Sequence, residues 1–216
     1  MKTTFLLITL AALLASTATA KDNPTAESTL TPEPAEAKYL AVIGERSQKI
    51  VDALDLSDTN AAARVHGIIM AQYRALNDWH NTNDAKIKAA KGDQETIAQV
   101  SAPLKQLHAQ YLAQLALDLT PEQVEIVKDK MTYGKVQFTY KGYLIEYPSL
   151  NEEQKAEVLR LLKEAREEAM DGGSSGEKSA IFNRYKGKIN NYLSKQGIHP
   201  AKKEKKSQPE SSPSNK

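Results

Sequence analysis

The chain has no cysteine among its 216 residues, and this absence excludes several classes of protein at once. Without a thiol there is no disulfide framework, no cysteine nucleophile and no cysteine for a lipid anchor. No apolar run reaches the roughly 20 residues that a membrane-spanning helix needs. The formal net charge is +2, so no strong field attracts nucleic acid or an anionic membrane. We therefore expect a protein with no integral membrane segment and no nucleic-acid partner.

The usual signatures of metal and nucleotide sites are missing as well. The sequence contains no HExxH motif, no Glu-x-x-His pair of the di-iron type and no glycine-rich loop that would cradle a phosphate. Gly172–Gly176 formally matches G-x-S-x-G, but the hydrolase motif requires a strand before its serine, and here a helix is predicted. We interpret Ser174 as a helix cap. The sequence predicts no metal and no cofactor, and it leaves open whether the protein is an enzyme.

The first 20 residues have the three parts of a secretory signal peptide. Lys2 gives a positive start, an apolar run extends over Phe5–Ala15, and small residues precede a predicted cleavage after Ala20. We therefore expect an exported protein that is periplasmic or secreted. Three prolines and little apolar material in residues 21–34 predict a flexible linker after the cleavage site.

Residues 35–197 carry the apolar spacing of helices, which gives each helix one face to bury. Three such sets are Leu40, Ile43, Ile50 and Leu54; Val65, Ile69, Leu76 and Trp79; and Leu104, Leu107, Tyr111 and Leu115. Polar caps predict three more helix starts, at Thr120, Asn151 and Ser174. The lysine-, serine- and proline-rich residues 198–216 predict a disordered basic tail.

One segment of this helical body, Gly134–Tyr147, has a different pattern. Val136, Phe138 and Tyr140 alternate with other residues, and the alternation continues after Gly142. A period of two around a glycine turn predicts a β-hairpin. The fold class we expect is therefore all-α, a single helical bundle of five to six helices with a small β-hairpin insertion.

Four of the nine tyrosines lie in or beside the predicted hairpin. They are Tyr133, Tyr140, Tyr143 and Tyr147. Exposed tyrosine rings can stack on sugar rings or grip a peptide, whereas buried rings would form a packing lid, and both interpretations stay open. The alternation predicts that some of the rings face outward.

Polar residues on two of the predicted helices are further candidates. The second helix carries His66, Tyr73, Asn77, His80 and Asp84 near one side. His80 and Asp84 are four residues apart, so the carboxylate could orient the histidine, which is one requirement for acid–base catalysis. A solvated polar face has the same pattern. On the helix that follows Asn151, we place Arg166 on the solvent-facing side, opposite an apolar side. That apolar side consists of Val158, Leu162, Ala165 and Ala169.

Three stretches of the sequence carry a family resemblance. Gln123–Gly134, Glu164–Asp171 and Tyr185–Leu193 resemble the family called domain of unknown function 3826, over about residues 35–197. The resemblance implies an exported protein of polysaccharide-degrading bacteria, with no established activity. A second resemblance is to periplasmic helical chaperones with paired LTxxQ motifs. Leu119–Gln123 fits that motif, but Asn151 replaces the threonine of the second copy.

From these observations we expect an exported accessory protein of polysaccharide (glycan) utilisation that binds a polysaccharide or oligosaccharide. The residues predicted to contact the ligand are Tyr73, His80, Tyr133, Tyr140, Tyr143, Tyr147, Arg166 and Asn190. One alternative is a periplasmic chaperone-like binder of unfolded proteins. Another is a glycan-processing hydrolase or lyase that uses His80 with a carboxylate. The sequence does not determine the oligomeric state.

Overall fold

The computed structural model describes residues 34–201, and within that range all regular secondary structure is helical. Seven helices follow one another: α1 (Pro34–Asp52), α2 (Thr59–Ala89), α3 (Gln94–Leu115), α4 (Pro121–Met131), α5 (Lys135–Glu146), α6 (Glu152–Met170) and α7 (Ser175–Lys195). The predicted signal peptide and most of the predicted linker and tail lie outside the described residues. None of these seven helices has both the length and the apolarity that a membrane crossing requires.

The three predicted helix caps are present. The Thr120 hydroxyl accepts a hydrogen bond from the Gln123 N–H, and the Gln123 side chain accepts one from the Thr120 N–H. Asn151 forms the same reciprocal box at the start of α6. The Ser174 hydroxyl accepts from the Glu177 N–H at 3.1 Å, so this serine caps α7. Local hydrogen-bonding chemistry therefore fixes where α4, α6 and α7 begin.

The predicted β-hairpin over Gly134–Tyr147 is wrong, because this segment forms α5, and the described residues contain seven helices instead of five to six. The buried residues of α5 are Val136, Thr139 and Tyr143, spaced by three and four residues as on one helix face. Phe138, which alternation placed on the same face as Val136, is 81% exposed. A short apolar run fits either period, and packing of α5 against α6 decides between them.

Two apolar clusters hold the helices together. The first lies mainly among α1 to α4 and contains the fully buried Val65, Ile69 and Leu115. The second lies among α5, α6 and α7. At the end of α6, Ala169 belongs to the second cluster and Met170 to the first. The α6–α7 loop therefore begins where the two clusters meet.

Candidate functional site

A cleft of ≈ 220 Å³ lies between α1, α2 and the start of α7, and we call it the tyrosine cleft. Its apolar lining comes from Ile43, Leu76 and Met131. Its polar side chains come from separate parts of the chain: Tyr39, Arg46, Tyr73, Asn77, Tyr133, Ser174, Ser175 and Lys178. Among the described residues that line the cleft, two are basic and none is acidic, so the cleft has a cationic lining.

Tyr133 lines the cleft and has a left-handed backbone conformation at the end of α4. The Gly134 N–H donates to the Asp129 carbonyl at 2.8 Å, and the Tyr133 N–H donates to the Lys130 carbonyl at 3.2 Å. These two bonds form a Schellman motif, in which glycine usually occupies the left-handed position that directly follows the C-cap. Here that position is Tyr133, with a φ of 61°. Its ring is 54% exposed.

Tyr39 and Tyr73 line the cleft from adjacent helices. The hydroxyl of Tyr39 donates a hydrogen bond to the backbone oxygen of Tyr73 at 2.9 Å, which fixes the Tyr39 ring across α1 and α2. Burial raises the pKa of Tyr73 to about 12, although the positive charge of Arg46 opposes the shift. Tyr73 therefore keeps its proton at neutral pH and offers a neutral hydroxyl that can donate to a ligand.

Lys178 lines the cleft from α7 while being only 5% exposed. Its Nζ donates to the backbone oxygens of Ala169 at 2.9 Å and Met170 at 3.2 Å. These carbonyls lie at the C-terminal end of α6, where the helix dipole favours a cation. Burial lowers the pKa of Lys178 to about 8. An ammonium group has three N–H donors, so one remains when two are bound to carbonyl oxygens.

His80 is buried on the α2 side of the α6–α7 loop and does not line the cleft. Its Nε2 contacts the backbone oxygen of Asp171 at 2.7 Å, and its Nδ1 contacts the Asp84 carboxylate at 2.8 Å. Both partners are acceptors, so the two hydrogen bonds form together only when both ring nitrogens carry a proton. Burial opposes the charge of this protonated ring, but the two hydrogen bonds outweigh it and raise the pKa of His80. With no free lone pair, His80 is not placed to act as a general base.

The α6–α7 loop is fixed by His108 as well as His80. The Nδ1 of His108 lies 2.9 Å from the Asp171 carboxylate, while His80 holds the backbone oxygen of the same residue. Hydrogen bonds to Asp171 and then Glu167 raise the pKa of His108 to about 9. A Cβ at Gly173 would lie 2.7 Å from Cγ of His80, so only glycine fits there. The loop therefore rests directly on the His80 ring.

Arg166 does not reach the cleft, and its predicted solvent-facing position is wrong. It is 2% exposed, because α4 packs across this side of α6. Its Nη1 donates to the Asp129 carboxylate and its Nη2 to the Glu125 carboxylate, both at 2.6 Å. Burial opposes the charge of Arg166, but these two bonds raise its pKa. Arg166 therefore joins α4 to α6.

A second cavity of ≈ 520 Å³ lies along α5 and α7, and we call it the α5 groove. Two of the residues predicted to contact a ligand, Tyr143 and Asn190, meet there. The Tyr143 hydroxyl donates to Oδ1 of Asn190 at 2.8 Å, and the Tyr143 ring is buried. Phe138 and Ile145 also line this groove and are 81% and 79% exposed. The groove is therefore mainly apolar.

The eight residues predicted to contact a ligand are thus not all in one place. Only Tyr73 and Tyr133 line the tyrosine cleft. Tyr147 is buried with its ring stacked on that of Tyr143, at 5.8 Å between centroids. Tyr140 is half-buried against the second apolar cluster. His80 and Arg166 are buried away from the cleft, and Tyr143 and Asn190 line the α5 groove.

Sequence reasoning missed Tyr39, Arg46 and Lys178 as cleft residues. Tyr39 and Arg46 are seven residues apart on α1 and therefore share one face, with Ile43 between them. Because Ile43 belongs to the predicted apolar face of the first helix, the two flanking polar residues are a signal that places them beside that face. Lys178 follows the Ser174 cap and gives no signal of burial, because its apolar neighbours come from other helices.

Comparison with known families covers most of the described residues. A family model described as "Protein of unknown function (DUF3826)" matches residues 40–210. The chain belongs to the DUF3826 family. The match takes in every residue of the tyrosine cleft except Tyr39. No curated protein matches the chain. Membership of DUF3826 thus confirms the resemblance and brings no activity with it.

Proposed function

We propose that this DUF3826 protein binds a polysaccharide or oligosaccharide in the tyrosine cleft, as an exported accessory protein of glycan utilisation. The observation that carries the proposal is the convergence of Tyr39, Tyr73 and Tyr133, from three separate parts of the chain, on one small cavity. Aromatic rings offer apolar faces to sugar rings, and their hydroxyls can exchange hydrogen bonds with sugar hydroxyls. Export and the association with glycans rest on the predicted signal peptide and the family resemblance.

The backbone of Tyr133 is a second argument for a binding role. A left-handed conformation costs a non-glycine residue about 1–2 kcal/mol, and such strain clusters at functional sites. The neighbouring residue Gly134 also has a positive φ, and it is a glycine. A glycine at position 133 would end α4 in the same way without this conformational strain. The ring of Tyr133, which is half exposed and lines the cleft, offers a physical reason for keeping tyrosine there.

The lining of the cleft favours binding over hydrolysis. Most glycoside hydrolases use a pair of carboxylates, one as acid and one as base or nucleophile. Among the described residues of the cleft there is no carboxylate, and both nitrogens of His80 are engaged outside it. The lining of the cleft therefore supports the proposed binding role over hydrolysis in the cleft.

Affinity gel electrophoresis tests the proposal directly. The full chain is run through gels that contain pectic and hemicellulosic polymers, alongside Tyr133→Gly and Phe138→Ser variants. We expect at least one polymer to retard the wild-type protein. Tyr133→Gly keeps the backbone conformation while removing the ring, so retardation should be lost. Phe138→Ser removes an exposed ring from the α5 groove and serves as the matched control, with unchanged retardation.

Two results would contradict this proposal. No retardation on any polymer, with a correctly folded protein, would remove the basis for glycan binding. New reducing ends or unsaturated products after incubation with a retarding polymer would show that the protein is an enzyme, as the hydrolase or lyase alternative requires.

The α5 groove favours a second candidate function, the binding of unfolded proteins. Phe138, Gly142 and Ile145 share one face of α5 at spacings of four and three residues. A Cβ at Gly142 would meet nothing within 4 Å, so the space between the two exposed apolar side chains is open. An apolar segment of an unfolded chain fits such a surface. Suppression of client aggregation by the wild type, and its loss in Phe138→Ser, would support this candidate over glycan binding.

A further inference from the structure

Two cavities on either side of the α6–α7 loop differ in the balance of their acidic and basic side chains. The tyrosine cleft is lined by Arg46 and Lys178 and by no acidic residue of the described chain. The neighbouring cavity of ≈ 400 Å³ shares Gly172 with the cleft, but three of its lining residues are acidic. Those are Glu168, Asp171 and Glu177, and one basic residue, Lys105, also lines this cavity. A ligand in the cleft therefore meets positive charge without a competing carboxylate in its walls.

Arg46 lines the cleft and makes no ion pair with another described residue. Of the five other arginines of the described chain, four pair with carboxylates and one, Arg74, does not. The four are Arg64, Arg160, Arg166 and Arg184. Arg46 is exposed, so its position does not result from burial in the core. It lies close enough to Tyr73 and Lys178 for its charge to influence the pKa of both.

The chemistry of these groups defines the kind of sugar that the cleft would accept. A guanidinium presents parallel N–H donors that match the two oxygens of a carboxylate. Tyr133 provides an exposed ring face for the sugar ring, and Tyr73 provides a neutral hydroxyl. We infer that the tyrosine cleft binds a uronic acid unit of a glycan, with the sugar carboxylate on Arg46. This inference rests on the proposed glycan binding and adds the charge of the ligand.

The test compares two probes with the same sugar chain, one bearing free carboxylates and one bearing their uncharged methyl esters. Isothermal titration of the full chain uses polygalacturonate and the same polymer after full methyl esterification, with alginate as a second polyuronide. We expect the acid form to bind at least about tenfold more tightly than the ester. We also expect the affinity for the acid form to fall as salt rises from about 0.05 M to 0.5 M, because salt screens exposed charges.

Two variants assign this preference to one side chain. Arg46→Gln should lose about tenfold in affinity for the acid polymer and nothing for the ester, and Arg46→Lys should recover part of the loss. Lys105→Gln removes one exposed positive charge from the neighbouring cavity and should change neither affinity. Because Arg46 is exposed, its variants should have the same Tm as the wild type.

The outcomes separate this inference from the proposed function. Equal binding of acid and ester, or binding of neutral glycans alone, would overturn the uronic acid assignment and leave glycan binding intact. An Arg46→Gln variant that keeps its full preference for the acid form would also overturn it. Failure of every polymer, charged or neutral, would overturn both.

Discussion

The tyrosine cleft and the α5 groove both contain tyrosines that the sequence singles out, but their surroundings differ. At the cleft, charged side chains fix the backbone, with Lys178 on the last carbonyls of α6 and His80 and His108 on Asp171. The α5 groove exposes mainly apolar surface, from side chains such as Phe138 and Ile145, although Lys141, Glu146 and Lys186 also line it. Tyrosines therefore line a polar site at the cleft, whereas at the α5 groove they pack into the second apolar cluster.

This difference teaches what makes the cleft the stronger candidate for a site. Binding loses least conformational entropy when the contacting groups are held in place before the ligand arrives. The cleft meets that condition through the α6–α7 loop, which rests on His80 and is capped at Ser174. The predictions below test whether the cleft depends on this polar frame and whether the α5 groove is independent of it.

The largest effect is expected from Gly173→Ala. The added Cβ would lie 2.7 Å from a His80 ring that is held from both sides, so the loop must shift. We expect a loss of about 1–3 kcal/mol in the free energy of unfolding, measured by denaturant titration. Gly187→Ala, where the Cβ meets open space within α7, is the control and should gain up to about 1 kcal/mol. Equal responses of the two variants would contradict the account of the loop.

The second effect is a dependence of stability on pH that belongs to His108. Its pKa is raised from near 6.5 to about 9 by Asp171 and Glu167. Its stabilising contribution is therefore fully present below pH 6.5 and is lost as pH rises through about 9. The stability difference between wild type and His108→Gln should shrink over this window by an amount of order 1 kcal/mol. Comparison with the variant is needed because Lys178, with a lowered pKa of about 8, has the opposite effect in the upper part of the range.

The third effect is a gain in stability from Tyr133→Gly. Glycine adopts the φ of 61° without strain, so we expect a gain of about 1 kcal/mol in the free energy of unfolding, seen as a higher Tm. The same variant is expected to lose glycan binding, so stability and binding move in opposite directions. A lower Tm would mean that the half-exposed ring contributes to packing, and the argument from backbone strain would then fail.

The smallest effect is expected from Phe138→Ser in the α5 groove. Since the side chain is 81% exposed, its removal should change the free energy of unfolding by less than about 0.5 kcal/mol. Binding in the tyrosine cleft should be unchanged. A large loss of either would show that the two regions are coupled, against the comparison made above.

Local chemistry could be predicted from the sequence, and tertiary packing could not. Thr120, Asn151 and Ser174 start helices through hydrogen bonds within four residues, so the sequence contains all the necessary information. The segment Lys135–Glu146 has an apolar pattern compatible with strand or helix. Packing against α6 decides that this segment is a helix. The sequence of the segment alone does not show which of its residues make that contact.

The candidate site shows the same limit. His80 and Asp84 were predicted as a pair and do form one, because they lie four residues apart on a single helix. The other ring nitrogen of His80 contacts the backbone oxygen of Asp171, which is 91 residues away in sequence. This second contact leaves the His80 ring without a free lone pair to act as a base. The role of Arg46 in the cleft could not be predicted for a similar reason, since its neighbours there come from α2 and α7.

The central claim is that a glycan occupies the tyrosine cleft, and an NMR titration tests it most directly. Wild-type protein labelled with ¹⁵N is titrated with an oligosaccharide prepared from a polymer that retards it on affinity gels. The account predicts that the largest shift changes cluster at Tyr39, Tyr73 and Tyr133 and along the α6–α7 loop. Changes centred on Phe138 and Ile145 of the α5 groove, with the cleft unaffected, would contradict it.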